Sequence, residues 1–131
     1  MNKKTVNPWT WQDNFGFAQG ISVENPQRTL YCAGQTSNNA NGEPLHSGDI
    51  GAQINQCLDN LETVLAADGM KLSDVVRMNY YTTDMDAMMS AYPAMVARLD
   101  AAGCRPSSTL LGVTRLAFPE FLIEIEATAV A

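Results

Sequence analysis

Two glutamates near the end of the chain, Glu124 and Glu126, are the residues best suited to acid–base chemistry. They stand two positions apart in an alternating apolar and polar run, so both side chains point to one face of a predicted strand. A carboxyl group whose pKa is raised by burial can deliver a proton and then accept one from water, and Glu124 is our candidate for that role. The alternative for Glu124 is a structural carboxylate that bonds backbone or hydroxyl groups across a subunit contact. Glu126 is predicted to be structural.

The other nucleophiles and metal ligands show no catalytic pattern. The single histidine, His46, lies in a loop ahead of a helix and is predicted to be solvated or to cap that helix. Cysteines 32, 57 and 104 have wide, irregular spacing, which is typical neither of a disulfide framework nor of a zinc site. We expect inert free thiols in a reducing cytoplasm, and no metal or cofactor. Ser108 has no histidine or lysine placed to activate it, which disfavours a serine hydrolase.

The composition is that of one globular domain with an acidic surface. Of 131 residues, 46% are hydrophobic and 17% charged, and the formal net charge is −6. This charge, without a cluster of Lys and Arg, disfavours nucleic acid as a partner. No apolar run reaches about 18 residues, so neither a membrane span nor a secretion signal is predicted. We expect residues 1–14 to form an irregular arm carrying two tryptophans, and residues 15–131 to form the domain.

The periodicity predicts an α+β fold with the order β-β-α-β-α-β-β. Strands are predicted over residues 15–24 and 29–36, paired as a hairpin around a turn at 25–27. Helices are predicted over 50–67, after an Asp49 N-cap, and over 85–102, where Pro93 either sits in a first turn or kinks the helix. A strand at 75–83 lies between them, and residues 104–131 form a final hairpin. The result is a mixed sheet of five or six strands with both helices on one face.

The face of this sheet turned away from the helices carries Leu122, Glu124 and Glu126. A half-apolar sheet face on so small a domain favours contact with another subunit. From the sequence pattern alone, a twofold dimer is the commonest assembly.

Several short motifs occur in order along residues 15–130. They are Gln-Gly at 19–20, Ala-Gly-Gln at 33–35, GDIGAQ at 48–53, LDNL at 58–61, TTDM at 82–85, Pro-x-Ser-Thr at 106–109, GVTRL at 112–116 and IEIEA at 123–127. Together they make the chain resemble the YjgF/RidA family, the reactive-intermediate (enamine/imine) deaminases. The resemblance implies the YjgF-like, chorismate-mutase-like fold. It also implies a homotrimer with small-molecule sites in the clefts between subunits.

The resemblance also implies which positions line that cleft. The family's glycine, whose carbonyl faces the site, and its water-handling glutamate are kept here as Gly34 and Glu124. The other positions have changed: Phe17 stands for a tyrosine, Tyr92 for a polar residue, Ser108 for an arginine and Leu110 for a cysteine.

The exchange at Ser108 bears on the substrate. A guanidinium holds a carboxylate by two charge-assisted hydrogen bonds, whereas a serine offers one neutral donor. Its loss should cost the binding of an α-imino acid on the order of 2–4 kcal/mol. Arg105 would have to travel about 10 Å along an extended segment to replace it. The cleft therefore either takes a ligand without an α-carboxylate or has lost the deaminase reaction.

Two functions remain open. The first is a trimeric hydrolase of enamines or imines with an altered substrate class and Glu124 as acid and base. The second is a trimeric binding or scaffold protein without turnover. Ribonuclease activity, claimed for some relatives, fits poorly with the acidic composition.

Overall fold

Ten elements follow one another along residues 1–131, all of which this computed structural model describes. The strands are β1 (Asn2–Val6), β2 (Gly20–Glu24), β3 (Thr29–Gln35), β4 (Val75–Thr82), β5 (Ser107–Gly112) and β6 (Ile123–Val130); the helices are α1 (Ile50–Ala67) and α2 (Met85–Ala101), with 3-10 turns at Trp11–Phe15 and Leu72–Asp74. From β2 onward the predicted order is confirmed. Neither helix has the length and apolar character needed to cross a bilayer.

The main sheet has four strands in the order β3-β6-β4-β5. β6 runs antiparallel to both of its neighbours, and β4 and β5 are parallel, so the sheet is mixed as predicted. β1 and β2 form an antiparallel pair. That pair is attached beside β5 by an isolated bridge between Ala18 and Ser107, where the Ala18 amide donates to the Pro106 carbonyl at 3.0 Å.

The alternation along β6 places its apolar residues beneath the helices. Ile123, Ile125, Ala127 and Ala129 are at most 5% exposed, while the polar residues between them are half-buried on the other face. The helices contribute an apolar stripe each: Ile54, Cys57, Leu58, Leu61 and Leu65 from α1, and Met88, Met95 and Leu99 from α2. Two helices on one face of a mixed sheet is therefore the observed architecture.

The helix ends follow the sequence signals. Asp49, the predicted N-cap of α1, accepts a hydrogen bond from the Ala52 amide at 3.0 Å, and Asp84 caps α2 through the Ala87 amide in the same way. After α1, Gly69 adopts a φ of 71°, which suits glycine at a helix end. Pro93 lies inside α2, which continues through it to Ala101.

Both predicted hairpins are wrong. β2 pairs with β1 and not with β3, because the amides of Gln27 and Arg28 bond the Ala131 carbonyl and direct the chain to the far edge of the sheet. There β3 lies beside β6 and buries Cys32 in the core. Burial of apolar residues under α1 has prevailed over pairing of neighbours in sequence.

The last two strands are likewise separated, since β4 lies between β5 and β6. The connection between them crosses the end of β4. It is held there by Val113 donating to the Thr82 carbonyl at 2.8 Å and Thr83 donating to the Leu122 carbonyl at 3.1 Å. β4 takes the central place because Met78, Tyr80 and Thr82 on one of its faces are all buried.

The first residues also differ from the prediction of an irregular arm. Residues 2–6 form strand β1, which pairs along its full length with β2. Lys3 adds a contact with the 3-10 turn that precedes β4, since its ammonium donates to the Ser73 carbonyl at 3.1 Å.

Gln53 joins two long loops to α1. Its side chain is fully buried. Its Nε2 donates to the His46 carbonyl at 3.1 Å and to the Glu120 carbonyl at 2.8 Å, and its Oε1 accepts from the Leu122 amide at 2.8 Å. The loop before α1 and the connection before β6 are thus held by one amide group.

Replacing Gln53 should therefore be costly. We expect Gln53→Ala to lower the free energy of unfolding by about 3 kcal/mol, because three hydrogen bonds of about 1 kcal/mol each are lost together with the packing of a fully buried side chain. Urea denaturation at a fixed protein concentration measures it. The matched control is Gln27→Ala, whose exposed side chain makes no hydrogen bond and should change stability by less than about 0.5 kcal/mol. Equal effects of the two substitutions would contradict this role of Gln53.

Candidate functional site

A cleft of about 220 Å³ opens between β5, α2 and the first 3-10 turn. Seven of its eight lining residues are hydrophobic, and five of the eight are aromatic. We call it the aromatic cleft; its lining residues are Trp11, Phe15, Phe17, Tyr80, Met89, Tyr92, Ser108 and Leu110. Clefts of this kind suit a small molecule with an apolar body and few polar groups.

The strand register places two side chains of β5 in the aromatic cleft. Ser108 is paired with Met78 of β4, and Leu110 is paired with Tyr80. Side chains directly opposite each other on neighbouring strands share a face. Because Met78 and Tyr80 face the helices, Ser108 and Leu110 also lie on the helical side of the sheet, where α2 supplies the opposite wall.

The aromatic wall is built by the first 3-10 turn. Trp11 packs edge-on against Phe15 and Phe17, with ring centroids 6.3 and 5.8 Å apart. The turn is fixed to α2 because the Tyr92 hydroxyl donates to the Phe15 carbonyl at 2.7 Å. Both indoles are nevertheless largely exposed in the single chain, Trp11 at 58% and Trp9 at 59%.

The aromatic cleft contains no cationic side chain. Arg105, the arginine nearest in sequence to Ser108, donates to the Asp13 carbonyl at 3.0 Å and forms an ion pair with Asp100 at 3.3 Å. Its guanidinium is thereby held outside the cleft, and it does not occupy the place of the missing arginine.

Glu124 lies on the opposite face of the sheet, which we call the open face. This face carries Arg77, Asn79, Tyr81, Thr109, Glu124 and Glu126. Glu124 is paired with Tyr81, and its carboxylate lies directly over Gly34 of β3, so that a Cβ at position 34 would collide with it. Glycine is therefore required at position 34 for the carboxylate to lie where it does.

The two glutamates of the open face have opposite electrostatic environments. Glu126 accepts hydrogen bonds from the Tyr81 hydroxyl and from Asn79 Nδ2, the latter at 3.0 Å, and these bonds hold its pKa below the ordinary value. Burial, and then the charge of Glu126, raise the pKa of Glu124. Two neighbouring carboxyl groups whose pKa values are pushed apart in this way suit different roles.

The predicted site residues thus fall into two groups. Phe17, Tyr92, Ser108 and Leu110 line the aromatic cleft, and Gly34 and Glu124 lie together on the open face. The groups are on opposite faces of the sheet, and β4 separates their strands, so one chain does not bring them together.

Four lining residues were not predicted: Trp11, Phe15, Tyr80 and Met89. Tyr80 could have been found from the sequence. The alternation of β4 places it on the core face with Met78 and Thr82, where a tyrosine hydroxyl needs a hydrogen-bond partner or contact with a pocket. For the others the signal is weak, because an apolar residue on a turn or a helix surface has many ordinary explanations.

The thiols are consistent with the prediction that they are inert. All three cysteines are free and buried. Burial raises the pKa of Cys57 and of Cys104 to about 12, so neither supplies a thiolate near neutral pH.

Comparison with known proteins identifies the family. The family model described as Endoribonuclease L-PSP matches residues 15–131. The chain is 30% identical over 113 residues to the RutC family protein PH0854 of Pyrococcus horikoshii, covering 86% of this chain and 85% of that protein. It is also 30% identical over 117 residues to the 2-iminobutanoate/2-iminopropanoate deaminase of Escherichia coli K12, covering 87% and 86% of the two chains.

A solved structure is similar over the whole chain. The protein YyfB of the conserved Rid family, from Yersinia pestis, superposes with a TM-score of 0.89 at 38% identity, and both chains are covered completely. With the motifs and the fold already described, these similarities show that the chain belongs to the YjgF/RidA family.

Proposed function

We propose that this protein is a hydrolase of enamines or imines that releases ammonia from substrates without an α-carboxylate. The observation that carries the proposal is the Glu124 carboxyl group, which lies over Gly34 with a raised pKa. The activity named for the Escherichia coli relative, deamination of 2-iminobutanoate and 2-iminopropanoate, supports the reaction class. No cofactor is required by this chemistry.

The site requires more than one copy of the chain. Because the aromatic cleft and Glu124 lie on opposite faces of the sheet, a substrate in the cleft of one subunit reaches Glu124 only of another. We propose a homotrimer, in which the open face of each subunit closes the cleft of the next. The side chains of the open face are only half-buried in the single chain, which leaves this face available for such a contact.

The reaction proceeds as acid–base catalysis by one carboxyl group. Protonated Glu124 donates its proton to the substrate, at the enamine carbon or the imine nitrogen, and an iminium ion results. The Glu124 carboxylate then removes a proton from water as the water oxygen bonds the iminium carbon. Glu124, protonated by that step, gives its proton to the amine nitrogen of the adduct. The carbon–nitrogen bond then breaks, the hydroxyl proton passes to the Glu124 carboxylate, and ammonia and the carbonyl product are released.

The substrate class follows from the absence of charged side chains in the aromatic cleft. A carboxylate that entered the cleft beside Ser108 would lose its hydration and would find no cation to pair with, because Arg105 is held by Asp100. Desolvating an unpaired charge is costly, whereas an apolar body gains from the aromatic walls. We therefore propose a neutral substrate, processed in the cytoplasm without contact with nucleic acid or membrane.

A binding or scaffold role without turnover is the second candidate. The observation in its favour is that no carboxylate, histidine or cation lines the aromatic cleft of a single chain. In that case the cleft would bind a neutral small molecule at the subunit contact, and Glu124 would only stabilise the assembly. The assays below distinguish the two functions.

The opposite environments of the two glutamates predict their titration. In a carbon-13 NMR titration assigned with Glu124→Gln and Glu126→Gln, we expect Glu124 to titrate above, and Glu126 below, the pKa of about 4.3 of a free glutamate. Because its pKa is lowered, Glu126 stabilises the fold above pH 4.3 and loses that contribution as the pH falls through its folded-state pKa. Glu124 has the opposite effect on stability. Because its pKa is raised, its ionised form is less favourable in the folded than in the unfolded chain, so ionisation destabilises the fold. Glu124 titrating below Glu126 would contradict the assignment.

Activity is tested with a matched pair of imines. L-Amino acid oxidase generates the imine of phenylalanine, and monoamine oxidase generates that of 2-phenylethylamine, which lacks the carboxylate. We expect the protein to accelerate ammonia release from the second imine. Glu124→Gln should lower that acceleration at least about 10²-fold, because it removes the group that donates and accepts the proton in the proposed mechanism.

The control is Glu43→Gln, which alters an exposed loop carboxylate and should leave the rate unchanged. Full activity of Glu124→Gln would refute the mechanism. Full activity of a monomer, established by sedimentation at the assay concentration, would refute the shared site. Absence of any acceleration by the wild-type protein would favour the binding role.

Restoring the arginine should change the substrate preference. In Ser108→Arg, we expect ammonia release from the imine of phenylalanine to increase on the order of 10²-fold relative to the wild type, because a guanidinium can hold the carboxylate by two hydrogen bonds. Ser108→Gln, which adds length without charge, is the control and should give no such gain. If arginine and glutamine act alike, the charge at position 108 does not select the substrate.

A further inference from the structure

The hydroxyl group of Tyr80 has no hydrogen-bond partner in the chain. Its side chain is only 3% exposed and lies on the core face of β4, at the floor of the aromatic cleft. Burial, followed by the nearby Tyr92 and Cys104, raises its pKa, and no hydrogen bond contributes. The hydroxyl therefore remains protonated and able to donate.

The other tyrosines that pack in the protein are satisfied. The Tyr92 hydroxyl donates to the Phe15 carbonyl at 2.7 Å, and the Tyr81 hydroxyl donates to Glu126. Most polar groups on packed side chains have a hydrogen-bond partner. Tyr80 is the exception among the packed tyrosines of this chain.

The Tyr80 hydroxyl is not sealed within the core. The one side-chain polar atom that is both closed off and unpartnered is Asn79 Oδ1. The oxygen of Tyr80 therefore stays in contact with the aromatic cleft, which Tyr80 lines. A hydroxyl group at the floor of an apolar cleft can form a hydrogen bond with a ligand when it has no partner in the chain.

Ser108 contributes a second hydroxyl group without a partner to the same cleft. The neighbouring Ser107 hydroxyl is used, since it donates to the Val76 carbonyl at 2.9 Å, but that of Ser108 has no bond within the chain. Ser108 is paired with Met78, two residues before Tyr80, so Ser108 and Tyr80 are diagonal neighbours on one face. Such neighbours lie about 7–8 Å apart between their Cα atoms, and both side chains line the aromatic cleft.

We propose that the Tyr80 hydroxyl, with Ser108, binds a neutral carbonyl oxygen of the ligand, as found in an amide or ester, and so selects it over a carboxylate. This inference rests on the proposed function in taking the aromatic cleft as the substrate site. Both groups are neutral donors, which satisfy a carbonyl oxygen and leave a carboxylate without a compensating charge. Tyr80 is thus a specificity-determining residue.

The test compares three probes that share an aromatic ring: phenylacetamide, phenylacetate and toluene. Trp11 lines the aromatic cleft, so quenching of tryptophan fluorescence reports binding to the complete protein. The variants are Tyr80→Phe, which removes only the hydroxyl, and Ser108→Ala. Tyr31→Phe removes a hydroxyl from a side chain that is 79% exposed and serves as the control.

We expect the wild type to bind phenylacetamide at least about tenfold more tightly than phenylacetate. Tyr80→Phe should weaken phenylacetamide binding roughly five- to tenfold, as expected for one lost hydrogen bond, and leave toluene binding within about twofold. Ser108→Ala should act in the same direction, and Tyr31→Phe should change nothing.

The proposal is overturned if phenylacetate binds as tightly as phenylacetamide, or if phenylacetamide does not bind at millimolar concentration. An equal loss of affinity for phenylacetamide and for toluene in Tyr80→Phe would also overturn it, since that result indicates altered packing of the cleft. If the expected binding is observed but the protein does not accelerate ammonia release from the imines, the hydrolase proposal is refuted and the proposed role of Tyr80 stands.

Discussion

The two-residue period of β6 is the constraint on which the rest of the structure depends. One face of the strand buries Ile123, Ile125 and their alternate neighbours beneath α1, and this leaves Glu124 and Glu126 only the open face. A shift of one residue in register would place both carboxylates in the apolar core, where each unpaired charge costs several kcal/mol. Apolar burial on one side of the sheet thus fixes the acids on the other side.

Neighbours on the open face then give the two acids different properties. Glu126 receives the hydroxyl of Tyr81 and the amide of Asn79, and both bonds favour its ionised form. Glu124 has no comparable donors and lies against the backbone at Gly34, where burial favours its protonated form. One acid is suited to hold a network together, and the other is suited to exchange protons.

The aromatic cleft differs from the open face in having no charged group at all. One wall is the first 3-10 turn, which is joined to α2 by the hydrogen bond from the Tyr92 hydroxyl to the Phe15 carbonyl, and the floor comes from β4 and β5. The one arginine close by in sequence is committed to Asp100. The recognition that we propose for this cleft uses apolar contact and the two hydroxyl groups without a partner, those of Tyr80 and Ser108.

The sequence by itself determined the elements and the two faces of β6, because periodicity and capping act over a few residues. The Asp49 cap, the apolar stripe of α1 and the alternation before Ala129 are examples. The motifs around Gly34, Ser108 and Glu124 likewise indicated the family and the loss of a cation. Only the tertiary structure decided which strands are neighbours: β4 separates β5 from β6, and β3 lies far from β2, because burial under the helices outweighs closeness along the chain. It also decided that Arg105 is held by Asp100 and that the Tyr80 hydroxyl has no partner. Hydrogen bonds between residues distant in sequence leave no local pattern from which such facts could be predicted.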